Sequence, residues 1–423
     1  MSRRSPHGDP LADPGPLRVL YSFPHALGSS GIGFTAWNQV KGLADLGHEV
    51  TVVAASIAKP LPPQVEVITT LSVAGRRVPH RLFGHRDRAL AWHDSRAARV
   101  LRARHDDFDV VHGWPLGSLK TLEAAAALGI AGVREAPNTH TENAYEVVAR
   151  ENERLGISLH DENPHHFNAE RLETERREWG AATAVLVPSE AVAETFLARG
   201  FTPDRLIRHQ YGALLGPAPT GPRDPDRPFT AAFVGRCEPR KGLHFALRAW
   251  LDSAASQTGR LIICGDFAPG YQELLANDLR HPSIEIRGFV KDTAVVYREA
   301  DILLAPSIEE GSALVSYEAQ ANGCVPLVSH ETGALLTDGV QGFVHSAGDI
   351  STLRRQIDML AGDRRLLSSM RDADIAHRPA LSWSAAAEVL ATSYRTAMAR
   401  HTSSPGTAGV TPRSARGFHG RPD

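Results

Sequence analysis

The chain has 423 residues, of which 42% are hydrophobic, enough for two separate cores. Lys and Arg (46) nearly balance Asp and Glu (48), which excludes a global field that would recruit nucleic acid or an anionic membrane. The three cysteines, Cys237, Cys264 and Cys324, stand far apart, each inside or beside an apolar run; this opposes a CxxC metal site or a disulfide framework and predicts buried thiols in a reducing cytoplasm.

In chain order, the polar, proline-rich residues 1–16 predict a disordered tail without a signal-peptide core, and no later stretch approaches the roughly eighteen apolar residues of a membrane span. From Leu17, short β-rich runs ("LRVLYSF", "HEVTVVAAS", "VEVITT", "FDVVHGW", "AGVREAPN", "AVLVPS") alternate with helical patterns, which predicts βαβ units around a parallel sheet over residues 17–212. At "GPAPTGPRDPDRP" the apolar rhythm stops, and residues 213–228 read as an interdomain linker. The alternation restarts with "FTAAFVG", "LIICGD", "IEIRGF", "DILLAPS" and "CVPLVS", giving a second domain over 229–378. Residues 379–400 carry a last amphipathic helix, and 401–423 form a Gly/Ser/Pro/Arg tail predicted to be disordered. The expected fold class is α/β, two doubly wound domains in series, with a ligand cleft between their C-terminal strand ends.

Within the second domain, "EEGSALVSYEAQANGCVPLVS" holds Glu310 and Glu318 around a predicted helix, with Ser312 as its N-cap and Gly323 just past its end. The backbone N–H groups of Ser312, Ala313 and Leu314, following Gly311, then form an anion site at a strand's C-terminal edge. A carboxylate accepts from two hydroxyls at once, so Glu318 suits a ribose diol, and Glu310 could reach hydroxyls of a group beyond the phosphates. Two solvated helix-end charges are the alternative. In "FVGRCEPRKGLHFALRAW", Arg236 and Lys241 follow a β-run and offer a donor fork and a point charge to a pyrophosphate.

Taken together, "GRCEPRKG", "ADILLAPSIEEGSALVSYEAQANGCVPLVS", "GDISTLRRQIDMLAGD" and "GSSGIGFTAWNQVKGLADLGHEVTVVA" resemble the retaining, nucleotide-sugar-dependent GT-B glycosyltransferases of family 4 over most of residues 17–400. The resemblance implies two Rossmann-like domains, an acceptor-side one first and a nucleotide-sugar-binding one second, with the C-terminal helix crossing back to the first. It implies that Arg236 and Lys241 hold the donor diphosphate, Glu318 the ribose and Glu310 the sugar. It places Gly31 and Gly33 in the glycine loop after the first strand, His140 facing the donor sugar, and backbone near Phe289 and Val290 against the base. His112, at another strand end, reads as structural.

The implied reaction is transfer from a nucleoside diphosphate sugar to an acceptor hydroxyl in polysaccharide, glycolipid or small-molecule glycoside synthesis, with retention by a front-side course and neither metal nor resident cofactor. A nucleotide-sugar epimerase and a catalytically idle nucleotide-sugar-binding subunit are the rival readings. The sequence departs from the family where "QYGALLG" replaces a usual Asp-bearing "NGVD". His160, Asp161, Glu162, His165 and His166 are spaced too irregularly for a metal site, and "DPD" at 224–226 lies in the linker. Nine arginines between Arg76 and Arg104, interleaved with Leu82, Phe83, Leu90, Trp92 and Leu101, form either a solvated helix face or a weak contact for an anionic membrane or a phosphorylated acceptor.

Overall fold

The computed structural model describes residues 15–403 apart from 74–75, 79–84, 159–162, 220, 222 and 225–226. The expectations for residues 1–14 and 404–423, for Leu82 and Phe83, for His160, Asp161 and Glu162, and for most of "DPD" lie outside the described residues.

The first domain runs β1 (Arg18–Leu27), α1 (Ile32–Asp45), β2 (Glu49–Ile57), β3 (Glu66–Thr69), the short ribbon β4 (Ser72–Val73) and β5 (Arg76–Arg77), α2 (Arg86–Ala103), β6 (Val110–Gly113) and α3 (Leu119–Ala127). It continues with β7 (Ala131–Glu135), α4 (Thr141–Arg154), α5 (Ala169–Ala181), β8 (Ala184–Val187), α6 (Glu190–Leu197) and β9 (Leu206–Arg208). The second domain runs β10 (Thr230–Val234), α7 (Leu243–Leu251), β11 (Arg260–Cys264), the single turns α8 (Tyr271–Leu274) and α9 (Ala276–Leu279), β12 (Ile284–Gly288), α10 (Thr293–Glu299) and β13 (Ile302–Ala305). After α11 (Leu314–Ala321) come β14 (Val325–Ser329), β15 (Phe343–His345), α12 (Ile350–Gly362), α13 (Arg364–His377) and α14 (Trp383–Ser403).

Two parallel sheets result, in the order β3-β2-β1-β6-β7-β8-β9 and β12-β11-β10-β13-β14-β15. Continuous apolar runs produce them because helices cover both faces. In β1, Val19, Tyr21 and Phe23 enter the core on one face while Leu20 enters that on the other. In β10, Ala231 and Phe233 divide from Ala232 in the same way. The three thiols are buried and free, as their apolar settings predicted.

The C-terminal helix returns to the first domain. Leu390, Ala391, Tyr394 and Ala397 of α14 lie in the same core as Val19 and Val40. The Tyr394 hydroxyl stands 2.8 Å from His112 Nδ1, and His112 is wholly buried. Burial pushes that imidazole down to about 4, so it serves as a neutral structural group, in keeping with the structural reading of this strand-end histidine.

Candidate active site

Second-domain strands β10, β11 and β12 end around a cavity of about 490 Å³ lined by Arg236, Cys264, Asp266, Phe267, Phe289, Val290 and Thr293. Arg236 is largely exposed and, among the described residues, holds a 3.4 Å ion pair to Glu238, so its guanidinium has room to turn to a ligand. Phe289 is 75% exposed, an apolar ring left uncovered at the cavity mouth. Thr293, on the cavity wall, donates to Glu318 Oε2 at 3.3 Å, and the Tyr297 hydroxyl donates to the same oxygen at 3.1 Å. Burial raises the Glu318 pKa and these two hydroxyls oppose the rise.

Beside the cavity, a single turn over Pro239–Lys241 ends at Gly242, whose φ of 71° and close approach to the Pro306 carbonyl leave no room for a Cβ. This turn aims Lys241 at Glu310, with which it is ion-paired, and Arg240 lies 3.3 Å from the other carboxylate oxygen. Burial pushes the Glu310 carboxyl up, but Lys241 and Arg240 outweigh it and hold the group down to about 2. Arg240 stays firmly protonated despite its burial because Glu310, Glu309 and Glu238 surround it.

Arg236, Lys241, Glu310, Glu318, Phe289 and Val290 therefore share one face of the second domain. Gly31 precedes α1 with a φ of 69°, and Phe34, just beyond Gly33, packs with Leu314 against the cluster of Tyr211, Tyr317 and Trp383. The glycine loop thus faces the start of α11 across the cleft.

Two expectations are corrected. Ser312 is not the N-cap of α11: Ala313 is, without a side-chain cap, while the Ser312 hydroxyl is 2.8 Å from that of Tyr317 and donates to Gly333 O at 2.7 Å. The Ala313 N–H also donates inside the fold, to Thr332 O at 3.0 Å, which narrows the anion site expected there. His140, expected at the reaction centre, has its ring packed against Trp179, Phe196 and Phe201 instead. Its Nδ1 caps α4 by accepting from the Glu142 N–H at 3.3 Å, and burial, with Arg199 adding to it, pushes the ring down to about 4. An aromatic pocket is a better home for a neutral imidazole than a polar cleft.

Sequence reasoning missed Arg240 and Glu309. Their signal was the doubled charge in "PRKG" and "IEEG", read as one functional residue each. Glu309 has no exposed surface and accepts from the Thr139 N–H (3.2 Å) and hydroxyl (2.8 Å), both on the first domain.

Two doubly wound domains closed on a cleft whose second-domain wall carries a basic turn and two carboxylates define the GT-B glycosyltransferase class. The model of Glycosyltransferase Family 4 matches residues 29–208, and that of Glycosyl transferases group 1 matches residues 228–363. The chain belongs to the family 4 glycosyltransferases. Among curated relatives, the D-inositol 3-phosphate glycosyltransferase of Nocardia farcinica is 31% identical over 203 residues, 44% of this chain and 43% of that protein. The protein of the same name from Segniliparus rotundus is 32% identical over 182 residues, 40% of each. The chain thus matches less than half the length of these relatives. Anabaena Alr3699/HepE, solved in complex with UDP-glucose, superposes with a TM-score of 0.60 at 16% identity, over 90% of this chain and 100% of that one. The lipopolysaccharide outer core galactosyltransferase WaaB does so with 0.62 at 13%, over 89% and 99%. These two likenesses show the fold alone.

Proposed function

We propose that this chain transfers a sugar from a nucleoside diphosphate sugar to an acceptor hydroxyl, with retention at the anomeric carbon and without a metal. The observation that carries the reading is the junction of the Arg236–Phe289–Val290 cavity with the Lys241–Arg240–Glu310 cluster. The cavity takes the base and Glu318 the ribose diol. Arg236 and Lys241 meet the diphosphate, where negative charge grows as the bond to the sugar breaks. Lys241 then exchanges the Glu310 carboxylate for phosphate, which frees Glu310 for sugar hydroxyls. The acceptor proton leaves towards the departing phosphate oxygen on the same face, and the closed cleft keeps water from the donor. The relatives' activity towards D-inositol 3-phosphate makes a phosphorylated cyclitol the first acceptor to try.

The test incubates the purified protein with UDP-, GDP- and ADP-sugars, with EDTA, and with and without a panel of acceptors that includes inositol 3-phosphate. Nucleotide release that depends on acceptor, with the anomeric configuration preserved by NMR, supports the proposal. Sugar inversion at a ring carbon with donor alone identifies an epimerase, and binding without turnover an idle subunit.

A further inference from the structure

We propose that Glu309 is a positioning residue that couples domain closure to the catalytic carboxylate beside it; the proposal rests on the glycosyltransferase reading. Each oxygen of its carboxylate serves a different domain. Oε1 accepts two hydrogen bonds from Thr139 of the first domain, and Oε2 lies 3.4 Å from Arg240 Nη1 of its own. Arg240 also donates to the Glu309 carbonyl at 2.8 Å and stands 3.3 Å from Glu310, so one guanidinium joins the bridging acid to the sugar-facing one.

The next residue is held from the same side. Gly311 O accepts from the Ser189 hydroxyl at 2.6 Å, and the Gly311 Cα packs so tightly on the Pro137 carbonyl that a Cβ would stand 1.9 Å from it. First-domain groups from two loops therefore grip residues 309 and 311, and Glu310 is fixed between them. A carboxylate with no exposed surface is tolerated only while these partners are in place, because a buried charge stripped of its hydrogen bonds is costly. When the domains part, Glu309 loses Thr139, and its carboxylate is left to Arg240, the same guanidinium that holds Glu310. Glu310 is then aligned for chemistry only in the closed form, in which water is also excluded.

The test uses Thr139→Val, which keeps the shape and removes the hydroxyl, Thr139→Ser, which restores it, and Glu309→Ala. With UDP-glucose as donor, Thr139→Val is expected to lower kcat for UDP release by about tenfold at a KM within about threefold, as for a lost alignment contact. Thr139→Ser should recover most of that rate. Thr139→Val added to Glu309→Ala should cost nothing more, since the contact is already gone. X-ray scattering with saturating UDP should give a larger radius of gyration for Thr139→Val and Glu309→Ala than for wild type. Wild-type kcat in Thr139→Val, or a further tenfold loss in the double variant, overturns the proposal. If Glu309→Ala does not fold, the Val and Ser variants at position 139 decide the question. If wild type releases no UDP from UDP-glucose, that donor reading fails, and the scattering comparison still decides whether the bridge holds the domains closed.

Discussion

Replacing Glu310 by Gln removes one charge from a buried cluster and leaves its shape. The wild-type carboxyl is held down to about 2 against an ordinary 4.5, so its ionised form is stabilised in the fold by about 3 kcal/mol at neutral pH. The amide still accepts a hydrogen bond from Lys241, which returns about 1 kcal/mol. A net loss of about 2 kcal/mol is expected, a fall in Tm of roughly 4–8 °C for domains of this size. The sign of the pH dependence follows from a depressed folded-state value. The contribution is fully present above the unfolded value near 4.5 and is lost as pH falls towards 2, with about half gone by pH 3. Thermal unfolding of both proteins at pH 7 and pH 3 checks this: the gap in Tm should shrink by about three-quarters at the lower pH, because about half of the charge contribution is lost while the amide hydrogen bond is kept. A gap that is the same at both values would refute the claim that charge, rather than packing, holds Glu310 in place. Turnover should fall as well, because sugar alignment is lost, with no glycosyl adduct on the protein by mass spectrometry.

Arg236→Ala and Lys241→Ala should each lower kcat about 30- to 1000-fold, or roughly 2–4 kcal/mol of barrier, with circular dichroism unchanged; near-normal rates in both would remove them from the leaving-group site. Glu318→Gln should weaken UDP binding measured by calorimetry, since the single acceptor oxygen of an amide cannot serve both the Thr293 and Tyr297 hydroxyls and the ribose diol. His140→Ala should lower stability by about 1–2 kcal/mol through the lost cap and the emptied space between Trp179 and Phe196, while turnover per folded molecule stays close to wild type. Arg86, Arg88, Arg96, Arg99 and Arg102 all project from the solvent face of α2, so retention on anionic liposomes at low salt and release at high salt would show membrane contact; sedimentation equal to that with neutral liposomes would leave them as solvated charges.

The sequence by itself determined the two parallel sheets and the local grouping of charged residues on one face of the second domain. Strands buried on both faces must be apolar throughout, so "VLYSF" and "LIICG" announce themselves, and the helices between them can pack only on the sheet faces. The edge strands β9 and β15, three residues each, are too short to carry a periodic signal and emerge only from pairing with β8 and β14. Arg236, Lys241, Glu310 and Glu318 were legible because loop and helix geometry fixes local spacing, and local spacing is written in the chain. Tertiary structure alone decided the rest. Which histidine meets the cleft depended on where α5 and α6 put Trp179 and Phe196, and they enclosed His140. Ser312 gave up its capping position because Tyr317 and Gly333 offered its hydroxyl partners that no reading of α11 contains. Glu309 and Thr139 stand 170 positions apart, and a carboxylate with no exposed surface between them is a property of two domains in contact, which neither segment encodes alone.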